Sequence, residues 1–358
     1  MYPQSLDQAS GAPAPLAYNP YVDPAGLGVR TIGCDTFSGE LLEVLRLTPD
    51  LGPLADVEPL VRERMTVFDP AQLQGLSSVM RVERTFDGRL EVWSRLAPGY
   101  RLSAVLEWTE ARQTAPSINA VLTVGDRLFA ALGSLQALDQ TEGASGHGAI
   151  AIDQIVISDT GDLTLTDYAF GTAIAALQWP REKLWRRFRI AVPPAAGLAR
   201  FDHRVDVTQA AVVIVSLLAG RVFREEEYPR KLDALIVEAL NHSCAGIERD
   251  ERNRLSAWLR AATELDPRST FNSAAQARQA LRAALGHRLD DGVAVAAWLR
   301  AARGLPEIDP APVAPAPVLA PVPEPVVAAL TAPEPVAAPP ADRAGKGGKL
   351  FRKWLSRS

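Results

Sequence analysis

The chain reads as helical from Ala115 to about Gly286, with one break at "AIAIDQIVISDTGDLTLTDY". There, apolar and polar residues alternate on either side of a Thr-Gly-Asp turn, which predicts two short strands, Gln154–Ile157 and Leu163–Leu165. A strand pair this short is not stable alone and must lie against other elements. The stretch before it is different again. From Gly28 to about Trp108, "LLEVLRL" and "RVERTFDGRLEVWSRL" alternate, and Asp87-Gly88 in the second marks a hairpin turn. One helix interrupts this region, "PLADVEPLVRERMTVF". It carries Leu60, Val61, Met65 and Phe68 on one stripe, with Pro59 tolerated near its start. The expectation is an α+β chain of two lobes, a small β-rich lobe with its exit segment (28–108) and a mainly helical lobe (109–287), followed by a helical extension (288–305).

The flanks are of another kind. Residues 1–27 are rich in Pro, Ala, Gly and Ser and predict a flexible leader, without the basic start and apolar segment of a signal peptide. Twelve of the 28 prolines fall between Pro306 and Pro340, so 306–342 predicts a disordered, extended Pro/Ala-rich linker. The tail, 343–358, holds six basic residues and no acidic one. In it Leu350, Phe351, Trp354 and Leu355 share a helical face ringed by Lys349, Arg352, Lys353 and Arg357. Such a basic amphipathic segment suits an anionic membrane surface or an acidic protein groove, and at this length folds only on binding.

With a net charge of -4, of which the tail contributes +6, the rest of the chain carries -10, and no nucleic-acid partner is expected. Cys34 and Cys244 are far apart and the four histidines do not cluster, so neither a metal site nor a disulfide framework is expected. The longest apolar run, "AAVVIVSLLAG", is shorter than the roughly 18–20 residues that span a bilayer and predicts a buried helix. These features predict a cytoplasmic protein, peripheral at the inner face of the membrane if the tail binds lipid.

The segment "HGAIAIDQIV" resembles the H-[RG]-D-[IL]-K-P-x-N catalytic loop of bacterial serine/threonine protein kinases, and "LTDYAFG" resembles their D-F-G segment. In the same order, "DHRVDVTQAAVVIVSLLAGR" is similar to the helix after the activation segment, and "LRAATELDPRSTFNSAAQARQAL" to the closing D-P-x-x-R helix pair. Upstream, "GVRTIGCDTFSGELLEVLRL" looks like strands two and three of the small lobe, and "EVWSRLAPGYRLSAVLE" like the hinge. The resemblance spans about Gly28 to Gly286 and implies a two-lobed protein-kinase-like fold, with ATP and magnesium as the cofactors of an active member.

The resemblance also implies that much of the chemistry is missing. Phosphoryl transfer needs a carboxylate at the attacking hydroxyl, a metal-holding pair and a cation on the phosphates. The carboxylate position is Ala149, the loop lysine is Ala151, and the small-lobe lysine matches Glu43, with Arg46 offered by a shifted alignment. If Glu63 is the helix glutamate, it would face Glu43 and repel it. Asp167 matches the metal-binding aspartate and Gln154 the second metal ligand; the glycine-rich loop is reduced to Gly26 and Gly28. His147, Asp206 and Asp266 match structural positions of the motifs. The family's ion pair between activation segment and closing helices falls on Pro194 and Thr270, so both partners are lost together.

The expected function is a catalytically impaired kinase-like domain, a pseudokinase, acting as a regulatory or scaffolding module and requiring no cofactor. The alternative is a divergent serine/threonine kinase, or an ATP sensor using Asp167 and a hinge pocket near Ser94–Pro98. "REKLWRRFR" offers Arg181, Trp185, Arg186 and Arg187 to a protein partner, and the tail offers Lys349, Phe351, Arg352, Lys353 and Trp354.

Overall fold

The computed structural model describes residues 21–22, 26–35, 38–49, 51, 56–67, 75–138, 146–193, 201–243, 247–265 and 270–306. Phe68, Pro194, Cys244, Asp266, nearly all of the leader, and the linker and tail from residue 307 lie outside the described residues.

The small lobe is an antiparallel sheet built from β1 (Tyr21–Val22), β2 (Gly28–Cys34), β3 (Leu41–Leu47), β4 (Val79–Arg84) and β5 (Leu90–Arg95), in the order β1-β2-β3-β5-β4. β3 has a neighbour on each side, and five of its seven residues are buried, which explains its apolar composition. The β4–β5 hairpin turns at Asp87-Gly88, where Gly88 takes φ +78°, a conformation that costs glycine nothing. Gly28 has another use: a Cβ there would sit 2.0 Å from the Arg46 carbonyl oxygen, so glycine lets β2 and β3 approach. Helix α1 (Val57–Val67) buries Val57, Val61 and Arg64 at i, i+4 and i+7, with Pro59 inside its first turn.

Beyond the hinge, β6 (Tyr100–Arg101) leads into α2 (Leu102–Arg112) and α3 (Ile118–Leu138). The expected strand pair is present as β7 (Ile155–Ile157) and β8 (Leu163–Leu165), and β6 joins it in a second sheet, β6-β7-β8. Leu165 bridges in parallel to Leu76, tying this sheet to the chain entering β4. The large lobe continues through α4 (Gly171–Ala176), α5 (Arg181–Phe188), α6 (His203–Ala219), α7 (Leu232–Ser243), α8 (Arg249–Ala262), α9 (Ala274–Leu285) and α10 (Val293–Arg303).

Helix α6 contains the long apolar run and is buried over most of its length. Asp202 caps its start, accepting from the Arg204 and Val205 amides, and Gly220 ends it at φ +64°. The longer apolar helix is α3. Its 21 residues are long and apolar enough to cross a membrane, which "AAVVIVSLLAG" is not. In the fold 72% of its most apolar stretch is buried among the other helices. Asp126 of α3 accepts from Arg278 and Arg282, one turn apart on α9, and this pair of guanidiniums offsets burial to hold its carboxyl down at about 2.

Candidate functional site

The segment that resembles a catalytic loop, from Gly146 to Gln154, is held from behind by α6. The Asp206 carboxylate accepts from the amides of His147 (2.9 Å) and Gly148 (2.7 Å), and Gln209 accepts from Ile150 (2.8 Å). Burial pushes the Asp206 carboxyl above its ordinary value, against the pull of these amide bonds. Gly146 is needed beside it, because a Cβ there would fall 1.8 Å from Asp206 Oδ2. The His147 ring is fully buried and burial lowers its pKa to about 4, so it is neutral at pH 7. Its Nε2 is 2.9 Å from the Thr166 carbonyl and its Nδ1 is 3.3 Å from the Ala149 amide. Both ring nitrogens therefore join backbone to backbone, leaving no proton-transfer role. At 149 and 151 two buried methyl groups stand where the resemblance asks for a carboxylate and an ammonium.

Asp167 precedes a short 3-10 turn, Tyr168–Phe170, in the left-handed region at φ 68°. Its carboxylate faces Arg30 of β2, whose Nη2 donates to Oδ2 and whose Nη1 lies 3.4 Å from Oδ1. The same Nη1 donates to Glu43 at 2.6 Å. From the other side Arg101, at the hinge, donates to both Glu43 oxygens, to the Asp153 carbonyl and to the Thr166 hydroxyl. Two guanidiniums and two carboxylates thus form a buried, electrically balanced quartet between the lobes. Burial raises the carboxyl pKa of Glu43 and of Asp167, but the arginines outweigh it, Arg30 foremost, and hold both below the ordinary range.

Glu63 does not join this network. It is exposed, and the buried charged residue of α1 is Arg64, whose Nη2 donates to the Gly146 carbonyl at 2.8 Å. The expected repulsion between Glu43 and Glu63 is therefore replaced by attraction between Glu43 and the two arginines. Arg46, the other alignment, points to the opposite face of the sheet and pairs with Glu91 at 2.6 Å. Trp93 lies on that face too, against Gly33 and Val44, with Arg81 stacked at 3.9 Å. Phe170 is buried in the core, and Ser94 is opposite Glu43 in the strand pairing. Gln154 is buried, its backbone carbonyl accepting from Thr166 and its Oε1 without a partner among the described residues.

The basic segment forms α5. Trp185 is in the core, its Nε1 donating to the Glu225 carbonyl at 2.9 Å and its ring tilted against Tyr228. Arg186 is exposed and pairs with Glu225, while Arg181 lies 3.9 Å from Glu182 and Arg187 is half-buried. Thr270 accepts from Arg204 at 3.3 Å, and Arg204 pairs with Glu264.

Sequence reasoning missed Arg30, Arg64 and Arg101. A signal for Arg30 was present. Glu43 is flanked by apolar residues in a central strand, so it needs a cation, and Arg30 lies diagonally across the β2–β3 ladder, opposite Leu45.

No protein-family model matches the chain. Its fold is similar to solved protein-kinase structures. The PknI kinase domain of Mycobacterium tuberculosis superposes with a TM-score of 0.51 at 17% identity, over 74% of this chain and 93% of that one. A double variant of that domain gives 0.51 at 18% identity, over 72% and 90%. The chain has a bacterial serine/threonine protein-kinase-like fold, α+β and two-lobed. At these identities the likeness defines the fold alone.

Proposed function

We propose that the chain is a catalytically silent kinase-like module that acts by binding protein partners, with the basic tail recruiting it to an acidic partner or an anionic membrane. The observation that carries this reading is the Arg30 guanidinium on the Asp167 carboxylate. Asp167 is the one acid retained where the resemblance places a metal ligand, and a cation from the protein itself is already bound to it. Gln154 and Asp167 are the residues that would hold magnesium, and they fit it poorly with Arg30 and Arg101 beside them. The quartet is neutral as it stands, so a metal–nucleotide complex would have to break buried ion pairs in order to enter. Ala149 removes the group that would orient an attacking hydroxyl, a contribution of about 10²–10⁴-fold in general-base catalysis.

The test is the melting temperature of the full chain with ATP, in magnesium, in manganese and without metal, together with a phosphotransfer assay. The expected result is no saturable shift and no transfer. Binding at a hundredfold excess over Kd would add about 2.7 kcal/mol. A saturable, metal-dependent shift of that size, lost in Asp167→Ala, would overturn the proposal and favour the sensor or kinase reading.

A further inference from the structure

We infer that helix α10 is a releasable clamp on the hinge: it grips β6 from outside, and so sets how firmly the ionic quartet locks the two lobes together. This goes beyond the silent-module reading and does not depend on it.

α10 lies on the large lobe along one stripe, with Val295, Trp298, Leu299 and Ala302 buried at i, i+3, i+4 and i+7. The stripe packs on α2 and α3. Trp298 Nε1 donates to the Thr109 hydroxyl of α2 at 3.0 Å, and both residues are buried. At the start of the helix the Asp290 carboxylate accepts from the Gly292 and Ala294 amides. A Cβ on Gly161 would fall 2.6 Å from the Gly292 carbonyl oxygen, and Arg127 donates to the Gly161 and Asp291 carbonyls. The helix start is therefore pressed against the β7–β8 turn.

The other end of α10 holds the same turn and the hinge. Arg303, its last residue, donates to Asp159 at 2.6 Å, and its guanidinium lies 4.5 Å from the centre of the Tyr100 ring. Tyr100 also meets Trp108 of α2 edge-on, at 5.4 Å. β6 consists of Tyr100 and Arg101, paired with Ile157 and Val156 of β7. Successive side chains of a strand point to opposite faces. Tyr100 accordingly goes out to Arg303 and Trp108, and Arg101 goes in to Glu43, the Asp153 carbonyl and Thr166. One two-residue strand thus joins α10 to the charge balance between the lobes.

The two contacts differ in strength. The Arg303 and Asp159 side chains are 27% and 68% exposed, so their pair is weak and screened by salt. The quartet is buried, and parting its members is costly. The outer grip is the one that can let go.

The test is hydrogen exchange of the full chain, read by mass spectrometry on peptides covering β2–β3, β6, α10 and, as a remote reference, α7. At low salt Arg303→Ala should speed exchange in β2–β3 and β6 by about tenfold and leave α7 unchanged. Asp159→Asn should act in the same direction by a smaller factor. Val293→Ser, at an exposed position of the same helix, should change nothing beyond α10. Coupling is reciprocal, so Arg30→Met should speed exchange in α10 by more than in α7. If Arg303→Ala does not fold, Trp298→Phe, which keeps a buried ring and drops the bond to Thr109, takes its place with the same expectation. Unchanged exchange in β2–β3, an equal rise in α7, or an α10 indifferent to Arg30→Met would each overturn the inference. ATP binding to the unaltered chain would sink the silent-module reading and leave these results standing.

Discussion

Arg30 on β2 and Asp167 after β8 are 137 residues apart in sequence, and their side chains close the space between the lobes as a buried ion pair. Glu43 and Arg101 complete the balance. Removing one member leaves a charge with no water to receive it, which is more damaging than never having had the group.

Arg30→Met should therefore destabilise the chain by about 3–5 kcal/mol, because Glu43 and Asp167 are left with Arg101 as their shared counter-charge. Adding Asp167→Asn should recover most of the loss. Urea unfolding of the single and double variants measures both, and a neutral Arg30→Met would show that the pair does not hold the lobes together.

Stability should depend on pH through His147. Its folded pKa of about 4 lies below the ordinary 6.5, so the unfolded chain takes up the proton first. Its contribution is full above about 6.5 and is lost as pH falls to about 4, roughly 3 kcal/mol in all. Glu43 and Asp167, also held low, add losses at more acid pH, whereas Asp206, held high by burial, works in the opposite direction. His147→Gln should flatten the slope between pH 6.5 and 4, read from unfolding midpoints across that range.

Two glycine substitutions should have opposite signs. Gly146→Ala places a methyl 1.8 Å from Asp206 Oδ2 and should cost several kcal/mol through the displaced carboxylate. Gly133→Ala, inside α3 with its nearest neighbour at 4.0 Å, should stabilise by about 0.5–1 kcal/mol. Melting temperatures of the pair decide it.

Ala149→Asp places a carboxylate where the resemblance asks for one and leaves the rest of the site as it is. No phosphotransfer to a generic protein acceptor is expected, and a loss of stability is, since residue 149 is buried. Measurable transfer by this variant would mean that nucleotide enters the cleft after all.

The α+β layout, the β4–β5 hairpin, the short strand pair and the buried α6 were legible in the sequence, because alternation, Asp-Gly turns and uninterrupted apolar runs are local patterns. That residues 149 and 151 carry methyl groups was legible too, and the structure buries both. The membrane-length apolar content of α3 was overlooked because its polar residues are spaced along it: Asp126 breaks the run but is neutralised by α9.

What the sequence could not supply was the partner of each charge. The resemblance put Glu43 or, by a shift, Arg46 at the lysine-like position and kept Asp167, and from these alone repulsion between Glu43 and Glu63 was a fair expectation. The tertiary structure decided the opposite by turning α1 so that Arg64 rather than Glu63 faces inward, and by bringing Arg30 and Arg101 onto the two acids. The reason is physical: a pattern of 2 or 3.6 residues says which side of an element is buried. Which buried charges meet depends on how elements far apart in sequence pack, and only there does Coulomb attraction offset the cost of leaving water.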